Sequence, residues 1–334
     1  MADQTGRVLL TGASGYIGSR LAPQLLAAGW RLTVLARRPD AIRERPWARD
    51  EEAVRVVAGD ATDPADLARA FDGVDVAYYL LHSMDGKGDF RRRDRQMADG
   101  FAHAAADSGA RRIVYLSGLH PDGESLSPHL ASRVEVGDIF LGGEVPATVL
   151  QAAIIIGSGS ASFEMLRHLT HRLPAMIAPR WLNSRIEPIA VRDVLNLLVA
   201  AADLPADSNR TFDIGSGEVL TYRALIDRFA ESAQLRRRLV VTVPVLTPSL
   251  ASQWLGLVTP VPLGVAKPLV GSLVHDVVCA ERDIWQLAGV TDPLPLDRAM
   301  AAALGGPSRR SGELPEPGDV DPAWLTSADP EWAG

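Results

Sequence analysis

Eight residues near the start of the chain, TGASGYIG at positions 11–18, bring three glycines together between a short apolar run and a helical stretch. The apolar run Arg7–Leu10 predicts a strand. Gly12 permits a tight turn, Gly15 lets a ligand approach the backbone, and Gly18 allows the helix to pack closely on the sheet. Because the first amides of a helix point outward at its positive dipole end, this turn predicts a binding site for the phosphates of a dinucleotide.

The first 155 residues alternate apolar, strand-like runs with helical stretches. Predicted strands cover Arg7–Leu10, Arg31–Ala36, Val54–Ala58, Val74–Leu80, Ile113–Ser117 and Ala147–Ile156. Predicted helices extend from the glycine turn to Ala28, from Asp63 as N-cap, from about 88 to 108, and from Leu130 to Gly142. Strands and helices at this spacing form parallel βαβ units, so the sequence predicts an α/β fold with a Rossmann-type doubly wound parallel sheet.

Beyond residue 157 the alternation becomes less regular. The predicted elements are the helices Ser162–Arg172, Val191–Ala202 and Tyr222–Ser232 and the short strands Arg185–Ile189 and Thr211–Ile214. They suit a smaller substrate-side region on the carboxyl edge of the sheet. We therefore predict an NAD(P)-binding domain at 1–160, a substrate-side region at 161–304 whose segment 185–203 returns to the core, and a Pro/Gly-rich tail at 305–334.

Residues 239–278 are strongly apolar, contain no acidic residue before Asp276, and are interrupted by prolines at 244, 248, 260, 262 and 268. The longest run without proline, 249–259, is too short for the roughly 20 residues of a membrane-spanning helix. Four interpretations stay open: a packed cover over the second region, a lid over an apolar substrate, a dimer face, and contact with a membrane surface.

Charge and cysteine content narrow the partners and the compartment. The net charge is −7 and no long basic stripe occurs, so nucleic acid is a poor candidate partner. The single cysteine, Cys279, cannot form an internal disulfide and is expected to be a small buried apolar residue. No metal-ligand spacing is present, and the first strand begins too early for a signal peptide. We expect a cytoplasmic protein without a metal or transmembrane segment.

Two arginines follow the second predicted strand, where an acidic residue would accept a hydrogen bond from the ribose 2′-hydroxyl of NAD. Arg37 and Arg38 suit a 2′-phosphate, both by charge and by forked hydrogen bonding. The sequence therefore favours NADP(H) over NAD(H), with solvated loop side chains as the alternative. Asp60, which ends the third strand, is placed to meet the adenine; its alternative role is in a turn or a helix cap.

Three motifs resemble one known family: TGASGYIG at 11–18, Gly59-Asp60, and Tyr115–Gly118. The chain resembles the short-chain dehydrogenase/reductase superfamily, and more narrowly its extended and atypical members, the NAD(P)H-binding, NmrA-like and epimerase-like proteins. Segments 78–84, 156–160 and 212–215 strengthen the narrower resemblance, which covers about residues 5 to 235. The cofactor-binding residues predicted by the glycine turn and implied by this resemblance are Gly12, Ser14, Gly15, Tyr16, Ile17, Gly18, Arg37, Arg38, Asp60, Ala61, Leu80, Leu81 and His82.

The resemblance also implies a position for catalytic groups. In catalytic members a serine polarises the substrate oxygen, and a tyrosine transfers the proton, with its pKa lowered by a lysine four residues later. Ser117 matches the serine, but His129 and Arg133 stand where Tyr-x-x-x-Lys belongs. Histidine exchanges protons near neutral pH, whereas arginine keeps its charge and is not a base. We predict these three residues as catalytic, with the pKa of His129 lowered if Arg133 is close.

Three functions fit this sequence. The first is an atypical NAD(P)H-dependent oxidoreductase that acts on a small apolar carbonyl, enone or quinone-like substrate. The second is a non-catalytic dinucleotide sensor of the NmrA-like type, because the tyrosine and lysine are missing. The third is a tailoring enzyme that performs other chemistry on an aromatic natural product. A homodimer formed through the apolar segment also stays open.

Overall fold

Parallel strands and covering helices make up the computed structural model, which describes residues 6–81, 89–121, 126–243, 259–262, 274–290, 292–305, 319–321 and 329. The strands are β1 (Arg7–Thr11), β2 (Arg31–Ala36), β3 (Val54–Ala58), β4 (Val76–Tyr79), β5 (Arg112–Gly118), β6 (Ala147–Ala152), β7 (Ile155–Ile156), β8 (Ala175–Pro179), β9 (Arg185–Ile186), β10 (Ile189–Ala190), β11 (Arg210–Ile214), β12 (Leu220–Thr221) and β13 (Leu239–Val243). The helices are α1 (Tyr16–Ala27), α2 (Pro39–Arg43), α3 (Pro64–Phe71), α4 (Phe90–Ser108), α5 (Pro128–Leu141), α6 (Ala161–Arg172), α7 (Val191–Ala201), α8 (Tyr222–Ser232), α9 (Asp283–Leu287) and α10 (Leu296–Leu304).

The central sheet has seven strands in the order β11-β6-β5-β4-β1-β2-β3, and every neighbouring pair is parallel. This arrangement confirms the predicted doubly wound Rossmann-type fold. The strand order reverses between β1 and β4, which is where ligands bind in open α/β sheets, outside the carboxyl ends of the strands. Residues that follow β1, β2, β3, β4 and β5 therefore face one common edge.

Helices cover both faces of the sheet. Helices α1 and α7 pack on one face, while α3, α4 and α5 pack on the other. On the second face Tyr79 lies edge-on to Phe101, Tyr115 and Phe140, with ring centroids 5.0, 5.9 and 5.0 Å apart. Such edge-to-face aromatic packing stabilises the core beyond its buried area. It also fixes α5 over β5, which positions the predicted catalytic residues.

A separate apolar core lies in the C-terminal half and includes side chains of α6, α8, α10 and the short strands. The short strands form three pairs: β7 with β10, β9 with β12, and β8 with β13. Cys279 is 7% exposed within this core, which confirms its predicted role as a small buried residue; burial also raises the pKa of its thiol. The domain boundary predicted at 160 remains a prediction.

Two predicted strands are wrong in extent, because the structure divides each of them into two shorter strands. The run Ala147–Ile156 is not one strand: β6 ends at Ala152, and the chain leaves the sheet so that β7 can pair with β10. The run Arg185–Ile189 likewise breaks at Glu187, whose side chain is fully buried. Helix α5 begins two residues earlier than predicted, because Ser127 caps it and Pro128 takes its first position.

The apolar segment 239–278 begins as β13, which pairs in parallel with β8. Much of the remainder, residues 244–258 and 263–273, lies outside the described residues, so its four interpretations are not resolved. Within the part of the chain that the structure describes, no helix combines the length and the apolar character needed to cross a membrane.

Candidate functional site

The glycine turn has the tight geometry that its sequence predicts. Gly12 has a φ of +71°, and a Cβ built there would lie 2.5 Å from the carbonyl oxygen of Leu80. A Cβ on Gly18 would lie only 2.2 Å from the carbonyl oxygen of Gly12. Gly15 is the N-cap of α1 and places no side chain on the first amides of the helix. The turn therefore offers backbone donors and a cradle that fits the phosphates of a dinucleotide.

The end of β4 lies directly beside this turn. Thr11 Oγ1 donates to the carbonyl oxygen of Tyr78 at 2.8 Å and accepts from the Leu80 amide at 3.3 Å. Leu80 and Leu81 are half-buried, so both remain accessible next to the turn. Among the other predicted cofactor residues, Ser14 is exposed, whereas Tyr16 and Ile17 are half-buried; His82 lies outside the described residues.

Arg37 and Arg38 are exposed at the carboxyl end of β2. The Gly59 amide donates to the carbonyl oxygen of Ala36 at 3.2 Å, which brings the end of β3 beside them. The structure thus collects the predicted arginines, Gly59 and the following Asp60 at one corner of the sheet. Both guanidinium groups are accessible to a ligand at that corner.

Asp60 has a turn role in the structure. Its Oδ1 accepts from the amide and the hydroxyl of Thr62, both at 2.9 Å. Its own amide donates to Asp66 Oδ2 at 2.7 Å, and this bond, first among several causes, holds the pKa of Asp66 below its usual value. Ala61 is buried at 8% exposure. The turn role is therefore present, and the predicted adenine contact of Asp60 stays a prediction.

The three predicted catalytic residues meet where α5 crosses the end of β5. Ser117 is 4% exposed, and its hydroxyl has no hydrogen-bond partner among the described residues. Arg133 Nε donates to His129 Nε2 at 3.2 Å, and Arg133 Nη1 donates to the carbonyl oxygen of Leu116 at 3.4 Å. One turn of α5 thus holds His129 and Arg133 together, while β5 supplies Ser117 beside them.

His129 is neutral in this arrangement. Burial, and then the positive charge of Arg133, lower the pKa of His129 to about 4, in the direction that the sequence predicts. Because Nε2 accepts from Arg133, the ring proton is assigned to Nδ1. At pH 7 the fixed positive charge of the site is therefore the Arg133 guanidinium, and the catalytic role of His129 stays a prediction.

The lowered pKa of His129 predicts a pH dependence of stability. The folded value of about 4 lies below the ordinary 6.5, so the unfolded chain binds more protons between these values and stability falls as the pH falls from 6.5 to 4. The loss is at most about 3 kcal/mol and is absent in His129→Gln. Urea unfolding at pH 7 and pH 4.5 measures it, with His103→Gln, an exposed histidine on α4, as control. An equal loss in wild type and His129→Gln would refute this assignment.

A cavity of about 470 Å³ opens beside Ser117 and Arg133. Its walls come from α5, from β5, β6 and β11, and from residues 276–281. Many of the lining side chains carry polar or charged groups: Ser117, His120, Arg133, Gln151, Arg185, Asp213, Asp276 and Glu281. A ligand in this cavity therefore meets both hydrogen-bond donors and acceptors.

Two bonds hold the outer wall of the cavity against the sheet. The Ala280 amide donates to Asp213 Oδ2 at 2.8 Å, and the Asp213 amide donates to Glu281 Oε1 at 2.9 Å. Arg185 Nε and Asp276 Oδ2 pair at 2.8 Å, and the pKa of Asp276 is lowered, first by the hydrogen bond from the Arg185 amide. The wall is thus tied to β11 and β9.

A buried carboxylate, Glu187, anchors the same wall from inside. Its oxygens accept from the amides of Gly217 and Cys279 at 2.9 and 3.1 Å, and from Arg282 Nε and Nη2 at 3.0 and 2.6 Å. Burial raises the pKa of Glu187, but the bonds from Arg282 and the two amides outweigh it, so the pKa lies below its usual value. One side chain thus joins three distant segments.

The C-terminal tail reaches the glycine turn at Asp321. The Ser158 amide donates to Asp321 Oδ2 at 2.7 Å, and burial raises the pKa of this carboxyl to about 6. Arg20 Nη2 donates to the Ser158 carbonyl oxygen at 2.8 Å, and its guanidinium lies 4.0 Å from the ring centroid of Tyr16. Ser158 therefore joins the tail to α1, the helix that opens the predicted dinucleotide site.

Sequence reasoning missed several residues of this site. Gln151 and Glu281 were not singled out, and Asp213 was noted only as part of a family motif. Gln151 and Asp213 sit near the carboxyl ends of β6 and β11, which is a positional signal in a parallel sheet. Glu187 gave no signal, because its partners lie 30 to 95 residues further along the chain.

Comparison with known proteins agrees with this geometry. Residues 12–141 match the NAD(P)H-binding family model. The NADPH-dependent quinone oxidoreductase of Escherichia coli, solved with NADPH, has the same fold, with a TM-score of 0.69 at 18% identity over 89% of this chain and 99% of that one. Triphenylmethane reductase of Citrobacter sp., solved with NADP(H), gives a TM-score of 0.68 at 18% identity over 89% and 99%. These likenesses support the resemblance to the short-chain dehydrogenase/reductase superfamily.

Curated proteins are similar to this chain over shorter stretches. A ceramide reductase of Caulobacter vibrioides is 33% identical over 61% of this chain and 63% of its own length. A 3β-hydroxysteroid dehydrogenase/isomerase of Mycobacterium tuberculosis is 28% identical over 35% of this chain and 33% of its own. The chain thus spans less than two thirds of these relatives. The family match itself assigns an NAD(P)H-binding domain to residues 12–141.

Proposed function

We propose that this protein is an NAD(P)H-dependent oxidoreductase that acts on a carbonyl, enone or quinone-like group of an apolar substrate. The observation that carries the proposal is the Ser117 hydroxyl, which is buried and has no hydrogen-bond partner among the described residues. It lines the same cavity as the Arg133 guanidinium. A hydroxyl and a fixed positive charge beside one cavity suit a substrate oxygen that gains negative charge.

The residues present define the roles in such a reaction. A bound nicotinamide supplies or accepts the hydride. Ser117 donates a hydrogen bond to the substrate oxygen, and Arg133 stabilises the negative charge on that oxygen when the hydride adds to the carbon. The oxygen then takes its proton from solvent water. His129 accepts from Arg133 Nε and thereby orients the guanidinium. Since His129 is neutral above pH 4, it is a positioning residue at neutral pH rather than the proton donor.

The cavity favours a substrate that has a polar end. Gln151, Asp213 and Glu281 line it together with Ser117 and Arg133, so hydroxyl, amide or amino groups next to the reacting carbon would find partners. Two of the relatives described above are named for ceramide and for a steroid, which are lipids with large apolar parts. We therefore favour a lipid-like carbonyl compound with a hydrogen-bonding end.

The test is consumption of NADPH across quinones, enones and ketones that include lipid-like examples. With any active compound, Ser117→Ala should lower kcat about 100-fold or more, as expected for a lost donor to an oxyanion, while the Kd for NADPH stays unchanged. Ser108→Ala, on α4 away from the cavity, is the matched control. If no compound consumes NADPH, or if Ser117→Ala keeps full activity, the proposal fails.

A dinucleotide sensor without turnover is the second candidate. The hydrogen bond from Arg133 occupies the Nε2 lone pair of His129, so His129 does not take the place of the proton-donating tyrosine of the catalytic members. A sensor would bind NADPH tightly and consume none with any compound. It would also bind NADPH equally well after His129→Ala, since binding requires no proton transfer.

Cofactor preference gives a further prediction. We propose that Arg37 binds the 2′-phosphate of NADPH, because its guanidinium is exposed at the end of β2. Fluorescence titration should show NADPH binding at least about tenfold tighter than NADH (roughly 1.4 kcal/mol), and Arg37→Ala should lose that preference. Arg298→Ala, an exposed arginine on α10, should change neither Kd. Equal affinity of wild type for both cofactors would refute the preference.

A further inference from the structure

Strand β13 presents two large apolar side chains to solvent. Leu239 is 64% exposed and Val241 is 52% exposed, whereas Val240 between them is buried. Alternate residues of a strand point to the same side, so Leu239 and Val241 form one apolar face. Single exposed apolar residues are ordinary, but two on one face of a strand require an explanation from their surroundings.

Three arginines, 236–238, directly precede this apolar face. Arg236 and Arg237 are exposed, and Arg238 Nε donates to the carbonyl oxygen of Thr170 at 2.8 Å. Arg172, also exposed, ends the neighbouring α6. We call residues 236–239, Val241 and Arg172 the β13 patch.

The positions of these arginines are set by the end of α8. Gln234 has a φ of +54°, and the Leu235 amide donates to the carbonyl oxygen of Ala230 at 2.7 Å. This tight turn ends the helix and places the next three residues immediately before β13. The arrangement is therefore fixed by backbone hydrogen bonds.

Within the described part of the chain, the carboxylate that pairs with Arg237 is held only weakly. Asp227 Oδ2 lies 3.7 Å from Arg237 Nη2, and that arginine side chain is 80% exposed, so solvent screens the pair. Glu231, exposed on α8, is the other acidic residue of this helix end. The β13 patch stays positive in a chain whose net charge is −7, so its charge is local and opposes that of the whole molecule.

We propose that the β13 patch docks this protein on the surface of a membrane that contains anionic lipids. Exposed basic side chains beside apolar ones match the anionic headgroups and the acyl boundary of a bilayer. The sequence after the patch continues for more than thirty residues with no acidic side chain until Asp276, so this stretch of sequence adds no negative charge. The inference does not depend on the proposed catalytic activity.

Sedimentation of the whole protein with vesicles tests the proposal. Vesicles of phosphatidylcholine alone are compared with vesicles that also contain phosphatidylglycerol, at low and high salt. Wild type should bind the anionic vesicles at least about tenfold more tightly than the neutral ones, and high salt should weaken the binding because it screens exposed charges. NADPH binding, measured in the same samples, reports whether each protein is folded.

Two variants separate the charged and apolar contributions. Arg236→Glu with Arg237→Glu should lower binding more than about 25-fold, since each basic residue near the surface contributes about fivefold. Leu239→Ser with Val241→Ser should lower binding to anionic vesicles severalfold. The matched control combines Arg298→Glu with Val219→Ser, which change exposed residues elsewhere, and should bind like wild type. The single variant Arg237→Glu serves if the double variants do not fold.

Three results would overturn the proposal. One is wild-type protein that does not sediment with anionic vesicles. Another is equal binding to neutral and anionic vesicles, or equal loss in the control variant. The third is a wild-type protein that is dimeric and does not bind vesicles, and whose dimer dissociates in Leu239→Ser with Val241→Ser. A second copy of the chain would then occupy the patch.

Discussion

Replacing Gly18 by alanine is expected to abolish measurable binding of NADPH and NADH. The new Cβ would lie 2.2 Å from the carbonyl oxygen of Gly12 and 2.8 Å from Ala13 Cα. Both neighbours are backbone atoms of the turn, so the turn itself must move. Overpacking of this kind costs about 1–3 kcal/mol of stability, and the displaced amides no longer converge on the phosphates. Fluorescence titration and urea unfolding measure the two effects separately.

Two further glycines make this experiment decisive. Gly73→Ala introduces the same methyl group at a φ of +67° with nothing within 4 Å, so it should cost about 1–2 kcal/mol of strain and leave cofactor binding unchanged. Gly15→Ala places a Cβ at the exposed N-cap, 3.2 Å from the Gly12 carbonyl oxygen, and should weaken binding in a folded protein. Normal binding by Gly18→Ala would show that the turn does not hold the cofactor.

Replacing Glu187 by glutamine is expected to lower the free energy of unfolding by about 2–3 kcal/mol. Glu187 is fully buried and accepts from Arg282 on both of its oxygens, whereas the Arg282 side chain is 43% exposed. A hydrogen bond to a charged group contributes about 1.5–3 kcal/mol, and solvent screens part of this pair. Urea unfolding near pH 7 measures the loss. The pKa of Glu187 is lowered, so its contribution should be present above pH 4.5 and vanish as the pH falls through its folded pKa.

An exposed ion pair provides the control for Glu187. Asp203 and Arg111 pair at 3.1 Å with both side chains 47% exposed, so Asp203→Asn should cost less than about 1 kcal/mol. A loss of that small size in Glu187→Gln would mean that the cavity wall does not depend on this carboxylate. Binding of NADPH by Glu187→Gln should persist, because the glycine turn belongs to the other half of the chain.

Local signals explain the parts of the fold that the sequence predicted well. The turn at 11–18 depends on glycines that are adjacent in sequence, and its strand and helix follow from nearby patterns. The position of His129 one turn before Arg133 on α5 likewise follows from helical spacing. The full extent of its pKa shift does not, because burial by the surrounding protein is the larger cause.

Non-local contacts explain the parts that were missed. The apolar run through Ile156 gives no sign that it breaks after Ala152, since the break serves the pairing of β7 with a strand more than thirty residues later. Glu187 reads as an ordinary acidic residue in a short strand, and only Arg282 and the amide of Cys279 explain its burial. The cavity is similarly assembled from segments that are distant in sequence.

The contact of Asp321 with Ser158 makes docking of the C-terminal tail depend on a proton. The pKa of this carboxyl rises from 3.8 to about 6 when it is buried, so the docked tail binds a proton more tightly than a released one, and docking weakens as the pH rises from 4 through 6. Between pH 4 and 6, release of the tail from Ser158 therefore also releases a proton, and acidification strengthens the contact.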